Sequence, residues 1–133
     1  MKVESEKAKG EGSAVRDLKE RTQQFALRAI RMTRALPNSP DAWVLGKQVL
    51  RSATSVGANY RSCQRGKSKA DFIAKLAVAE EEADETCYWL ELIIDSGLLP
   101  KDRVEPLLRE AQEITAILTA AGKTAKSNKD NQK

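Results

Sequence analysis

The side chains able to do chemistry in this chain are few in kind. There are two thiols, Cys63 and Cys87, one carboxylate run, Glu80-Glu81-Glu82-Ala83-Asp84-Glu85, many guanidinium and ammonium groups, and no histidine in 133 residues. Histidine is the side chain best suited to proton transfer near neutral pH and the commonest metal ligand. No Gly-rich phosphate loop or nucleophile elbow takes its place. The carboxylate run raises a metal reading, because Glu81 and Glu85 fall one helical turn apart. Di-iron bundles, however, pair Glu-x-x-His motifs, and none is available here. A solvated or salt-bridged face is the expected role of these acids. Cys63 and Cys87 have neither a CxxC spacing nor histidine companions, so they read as small buried thiols without zinc or a disulfide. The sequence therefore predicts no catalytic residue, no cofactor and no enzyme.

Something must position the charged groups, and the periodicity says what. Leu18, Phe25, Ala29, Met32 and Leu36 recur at three- and four-residue steps, predicting a first helix over 17–36 that Pro37 ends. Ser39-Pro40-Asp41 then reads as an N-cap, a first helical residue and an acid near the positive helix end, opening a second helix to about Arg65. Ser68-Lys69-Ala70-Asp71 resembles a capping box. It opens a third helix whose stripe is Phe72, Ile73, Leu76, Ala79, Ala83, Cys87, Leu90 and Ile94, ended by Gly97 and Pro100. Val104, Leu107, Leu108, Ala111, Ile114, Leu118 and Ala121 predict a fourth helix, with Pro106 either at its first position or inside its first turns. Connections this short favour antiparallel neighbours. The expected fold is all-α, an antiparallel up-and-down four-helix bundle over 15–121 between disordered tails, 1–14 and 122–133. No segment approaches the ~18 apolar residues of a membrane span and the first residues carry no apolar signal core, so a cytoplasmic location without a membrane partner is expected.

Within the second helix, Ser52-Ala53-Thr54-Ser55-Val56-Gly57-Ala58-Asn59 is a run of small or short residues. Glycine costs about 1 kcal/mol relative to alanine in a helix interior, so Gly57 predicts the close approach of another helix backbone. Arg51, just before this run, and Asn59, its last residue, are expected as polar specifiers at an inter-helix or inter-subunit surface. Glu81, Asp84 or Glu85 are the expected acidic partners. Trp43 reads as a core or interface anchor. Of Tyr88 and Trp89, about 100° apart on a helix, one should enter the core and the other stand at its boundary.

The net charge of +4 is less informative than its distribution. From Asp41 to Ala70 six basic residues oppose one acid, whereas from Asp71 to Ser96 eight acids oppose Lys75 alone. The first helix adds Arg21, Arg28, Arg31 and Arg34. If the acids of the third helix pair with the second, the remaining basic groups are left for solvent or a partner.

Several ordered motifs now carry a resemblance. Arg51-Ser-Ala-Thr-Ser-Val-Gly-Ala-Asn-Tyr60, Arg65-Gly-Lys-Ser-Lys-Ala-Asp-Phe72, the acids Glu80 to Glu85 and Gly97-Leu-Leu-Pro100 are similar to the bacterial four-helix-bundle family. That family includes proteins encoded in intervening sequences of large-subunit ribosomal RNA genes and the accessory variability determinant (Avd) of diversity-generating retroelements. The likeness spans roughly Phe25 to Leu118. It departs from many relatives in lacking a proline in the Ser-Val-Gly-Ala-Asn segment and in having Tyr60-Arg61 where Ala-Glu is common. The resemblance implies a protomer that assembles into a homopentameric ring. For Avd-type members it implies a basic outer surface that engages nucleic acid and a reverse transcriptase.

The expected function is an oligomeric accessory protein that binds the RNA or DNA backbone through Arg21, Arg28, Arg31, Arg34, Arg61, Arg65, Lys67 and Lys69. With only six aromatic residues, such contacts would be directed at phosphates and sensitive to salt. The alternative is a scaffold whose ring binds another polypeptide without nucleic acid. Arg51, Gly57, Asn59, Glu81, Asp84 and Glu85 are assigned to the oligomer interface or to a structural polar network.

Overall fold

The computed structural model describes residues 10–131, with side chains over 18–128. Four helices account for nearly all of it: α1 (Gly10–Arg34), α2 (Pro40–Cys63), α3 (Lys69–Asp95) and α4 (Lys101–Asn131). No strand occurs among the described residues. Each helix packs on the next in sequence and α1 closes on α4. With five-residue connections between helices, this is an up-and-down bundle.

Local chemistry explains where the helices stop and start. The Ser39 hydroxyl accepts the Ala42 N–H and itself donates to the Asp41 carboxylate at 2.7 Å, ahead of Pro40 at the first helical position. The Ser68 hydroxyl accepts the Asp71 N–H at 3.0 Å, and the Asp71 carboxylate reaches back to the Lys67 N–H at 3.1 Å. These two caps open α2 and α3 as their sequences predict. The end of α3 is a Schellman turn: the Leu98 N–H donates to Ile93 O, the Gly97 N–H donates to Ile94 O, and Gly97 has φ of 77°. Only glycine adopts that left-handed conformation without strain.

One contiguous core runs through the bundle, centred on Phe25, Val49, Val56, Leu76, Leu90, Ile93, Ile114 and Leu118. The predicted stripes supply most of it. Ile93 is buried although the α3 stripe assigned that place to Ile94, which is only partly covered. Pro106 lies inside α4, not at its start. Ser52 and Thr86, both buried, satisfy each other: the Thr86 hydroxyl donates to Ser52 Oγ at 2.8 Å and Ser52 donates to the Gln48 carbonyl.

Part of each segment expected as a tail is helical. Of the segments 1–14 and 122–133, residues 1–9 and 132–133 lie outside the described residues, while 10–14 and 122–131 are helical. At the C-terminal end the reason is spacing. Ala125 is buried and follows Leu118 by two turns, so it extends the apolar stripe of α4 beneath a run of lysines that favours helix. The helix continues through Gly122, where a Cβ would meet nothing within 4 Å.

Candidate functional site

The expected basic residues divide into three groups. Arg21, on α1, is fastened to α4. Its Nε donates to Glu110 Oε2 at 2.7 Å, and its Nη2 donates to Glu110 Oε1 and Glu113 Oε1, each at 2.8 Å. This fork holds the guanidinium charged and draws the Glu110 carboxyl below its ordinary range, chiefly through the Arg21 hydrogen bond. Arg21 is therefore an inter-helix tie and not an open cation, which corrects its assignment to nucleic-acid contact. A charge balance drawn over α1, α2 and α3 leaves out the acids of α4.

The second group stands at the C-terminal end of α1. Arg28 is half-buried, and Arg31 and Arg34 are exposed. Arg28 and Arg31 share a cleft with Arg103 of α4, a residue absent from the expected set. The third group stands at the opposite end, where Arg61 closes α2, Arg65 and Lys67 lie in the connection, and Lys69 opens α3, all of them on the surface. Because α1 and α2 are antiparallel, the sequence cannot place both groups on one patch. None of these seven residues makes an ion pair among the described residues.

Gly57 meets its expected close approach, and the neighbour is α1 of the same chain. A Cβ at Gly57 would lie 3.2 Å from Thr22 Oγ1, and one at Gly46 would lie 3.1 Å from Leu36 Cδ1. Between these glycines runs the α1/α2 seam, which opens at one end into a groove lined by Lys19, Thr22, Gln23, Thr54, Ala58 and Arg61. Asn59 serves its own helix, donating to the Ser55 carbonyl at 2.8 Å.

Arg51 does find acidic partners on α3. It ion-pairs with Glu82 at 3.1 Å and with Glu85, and the Glu85 carboxylate also accepts the Trp89 Nε1–H at 3.0 Å. Of the expected partners only Glu85 is correct. Glu81 and Asp84 sit on the other side of α3, where with Glu80 they line a cleft against Thr115 and Thr119 of α4. In that cleft the Thr119 hydroxyl donates to Glu80 at 2.6 Å. No group of three or more His, Cys, Asp or Glu among the described residues is arranged to hold a metal ion.

Burial pushes the Cys63 thiol up to about 11 and raises that of Cys87, so neither is a ready nucleophile. Tyr88 is exposed and Trp89 is half-buried against the core, so neither ring enters the core, contrary to expectation: Trp89 takes the boundary and Tyr88 faces outward. Trp43 is not in the core: it is 65% exposed, its indole N–H donating to the Asn38 side chain at 3.0 Å. No helix among the described residues is long and apolar enough to cross a membrane.

Fold and surface together define an all-α bundle with basic groups at both ends and many of its carboxylates engaged by its own helices. The family model of the 23S rRNA-intervening sequence protein matches residues 16–120, and the chain belongs to that family. A crystal structure of a protein of unknown function from the S23 ribosomal protein family of Bacteroides thetaiotaomicron is similar to it, with a TM-score of 0.75 and 39% identity, covering 80% of this chain and 98% of that one. No curated protein matches the chain.

Proposed function

We propose that this chain is a non-enzymatic, oligomeric protein that binds the phosphate backbone of RNA or DNA in the bacterial cytoplasm. The observation that carries the reading is the set of seven basic residues outside every ion pair among the described residues, Arg28, Arg31, Arg34, Arg61, Arg65, Lys67 and Lys69, on a protein in which Arg21 and Arg51 are paired. Cations left open at both ends of a bundle suit a polyanion that passes along it, and each phosphate contact releases counterions.

Assembly into a homopentameric ring is part of the same proposal. Its support is an opposition of charge. The α1/α2 seam carries Lys19 and Arg61, whereas the α3/α4 cleft, on the opposite side of the bundle, carries Glu80, Glu81 and Asp84. Leu18, Tyr60, Leu76 and Ile117 border one cavity, which puts the basic groove and the acidic cleft near the same level. Such complementary faces favour head-to-tail association, which closes into a ring when the rotation between copies permits. Repetition around a ring would convert weak phosphate contacts into avidity.

A second reading rests on the exposed apolar corner at the start of α2. There Trp43 and Leu36 border a groove of about 400 Å³, and Val44 is exposed beside it. This is a surface a protein partner could use in a scaffold that binds no nucleic acid. Size-exclusion chromatography with light scattering, with and without RNA at low and raised salt, separates the readings. A mass near five protomers that gains RNA at low salt and loses it as salt rises supports the proposal. A monomer overturns the ring, and an assembly indifferent to RNA overturns nucleic-acid binding.

A further inference from the structure

Arg28 and Arg31 lie one turn apart on the same face of α1, and Arg103 comes from the first turn of α4. Together with Met32, Leu99 and Leu107 they line a cavity of about 250 Å³. No carboxylate among the described residues lines that cavity. Glu110, whose carboxyl is lowered mainly by its hydrogen bond with Arg21 and in small part by the charge of Arg28, has both oxygens taken by Arg21. Asp102, although next to Arg103 in sequence, does not line the cavity. Three arginines thus line one small cleft together with apolar residues, and no carboxylate lines it with them among the described residues. Like charges held together in this way repel one another, and an anion entering the cleft relieves that repulsion.

The arrangement also says which anion. An internal phosphodiester carries a single negative charge, so it leaves most of a three-arginine cluster uncompensated. A terminal phosphate carries about −1.5 to −2 charges near pH 7 and presents three acceptor oxygens, and guanidinium forks match such oxygens in pairs. We propose that Arg28, Arg31 and Arg103 form a binding site for a terminal phosphate group, the kind found at the 5′ end of an RNA strand or on a free nucleotide. The assignment to an RNA end rests on the nucleic-acid reading above, whereas the phosphate site itself does not. Arg103 is its diagnostic residue, because it comes from a different helix and leaves the other two in place when removed.

The test uses the full chain and one short RNA made with either a 5′-phosphate or a 5′-hydroxyl. Fluorescence anisotropy at constant salt should show tighter binding of the phosphorylated form by about tenfold, the scale of one additional charge-assisted pair. Arg103→Gln should abolish that preference while leaving the affinity for the hydroxyl form within about twofold, a change too small for the removal of a backbone interaction. Arg34→Gln should weaken both forms alike and keep the preference, whereas Arg31→Gln, which removes a backbone cation as well as a member of the cleft, should weaken both forms and also abolish the preference, so the test stands if Arg103→Gln fails to fold. Adenosine monophosphate and inorganic phosphate are titrated in parallel. Competition by the nucleotide beyond that of inorganic phosphate marks a nucleotide source, and equal competition marks recognition of the phosphate alone; both support the site. Equal binding of the two RNAs, or an Arg103→Gln change that weakens both equally, overturns the site while leaving backbone binding intact. If neither RNA binds but adenosine monophosphate binds the natural protein and not Arg103→Gln, the site stands and the nucleic-acid reading fails.

Discussion

Arg21 and Arg28 lie two turns apart on α1, face the same neighbouring helix, and have opposite fates. Arg21 is bound through a fork to Glu110 and touches Glu113 as well, whereas Arg28 faces a cleft shared with two further arginines. The difference arises on α4. Its acids Glu110 and Glu113 stand one turn apart opposite Arg21, while the turn opposite Arg28 offers Arg103 and Pro106. A basic residue in a sequence is thus a cation available to a partner only after its neighbouring helix has been counted. One part of the α1 charge holds the bundle together and the other part is left to act outside it.

That contrast can be tested from its largest consequence downward. Reversing the open cations with Arg28→Glu, Arg31→Glu and Arg65→Glu together should lower RNA affinity by about a hundredfold or more and flatten its salt dependence by roughly one unit of slope for each phosphate interaction removed. The melting temperature should hardly move. A fall in affinity that leaves the salt slope unchanged would contradict phosphate binding by these residues.

Where α1 meets α2, Gly57→Leu should push the helices apart against Thr22 and cost about 1–3 kcal/mol in urea unfolding. Retention of full stability would mean the seam is looser than the Gly57–Thr22 approach indicates. Thr86→Val keeps the shape of the α2/α3 packing but removes the hydroxyl that donates to Ser52. A cost of about 1 kcal/mol is expected by the same measurement.

Arg21→Gln should cost roughly 1 kcal/mol at neutral pH, because the pair is bidentate but still partly open to solvent, and should leave RNA affinity almost unchanged. Its pH dependence has a definite sign. The folded-state pKa of Glu110 is lowered, so the stability it contributes is present above its unfolded value near 4.5 and is lost as pH falls through the lowered one. The natural protein and Arg21→Gln should therefore converge in stability on acidification. Parallel curves down to low pH would show that the fork is not what the substitution removed. The smallest effect is expected at Trp43→Ala, within about 0.5 kcal/mol, since that ring is 65% exposed.

The helices and their ends are legible in the sequence because the signals are local. Ser39 and Ser68 cap from two or three residues away, Gly97 needs its own φ, and the stripes of α3 and α4 repeat within each helix. The C-terminal end misleads for a reason that is also local: Ala125 continues the spacing of Leu118, but the surrounding lysines and asparagines hide it in a polar average. The candidate site is less legible. Charge imbalance singles out Arg28, Arg31, Arg34, Arg61, Arg65, Lys67 and Lys69, yet Arg103 escapes it because the apolar stripe dominates the pattern of α4. The second partner of Arg51 lies one residue from the expected set. Glu81 and Glu82 are adjacent, and a rotation of about 100° sends one toward solvent and α4 and the other toward α2.

By itself the amino-acid order determined the element type, the caps, the apolar faces and the absence of histidine chemistry, because each depends on residue types or on neighbours within a turn or two. Tertiary structure decided which charges are left open. Whether Arg21 faces Glu110, whether Arg28 and Arg31 meet Arg103, and whether Arg51 reaches Glu82 depend on the register between helices separated by tens of residues. That register is set by how Gly46 and Gly57 let α1 settle against α2 and how the shared core closes around Phe25, Leu90 and Ile114.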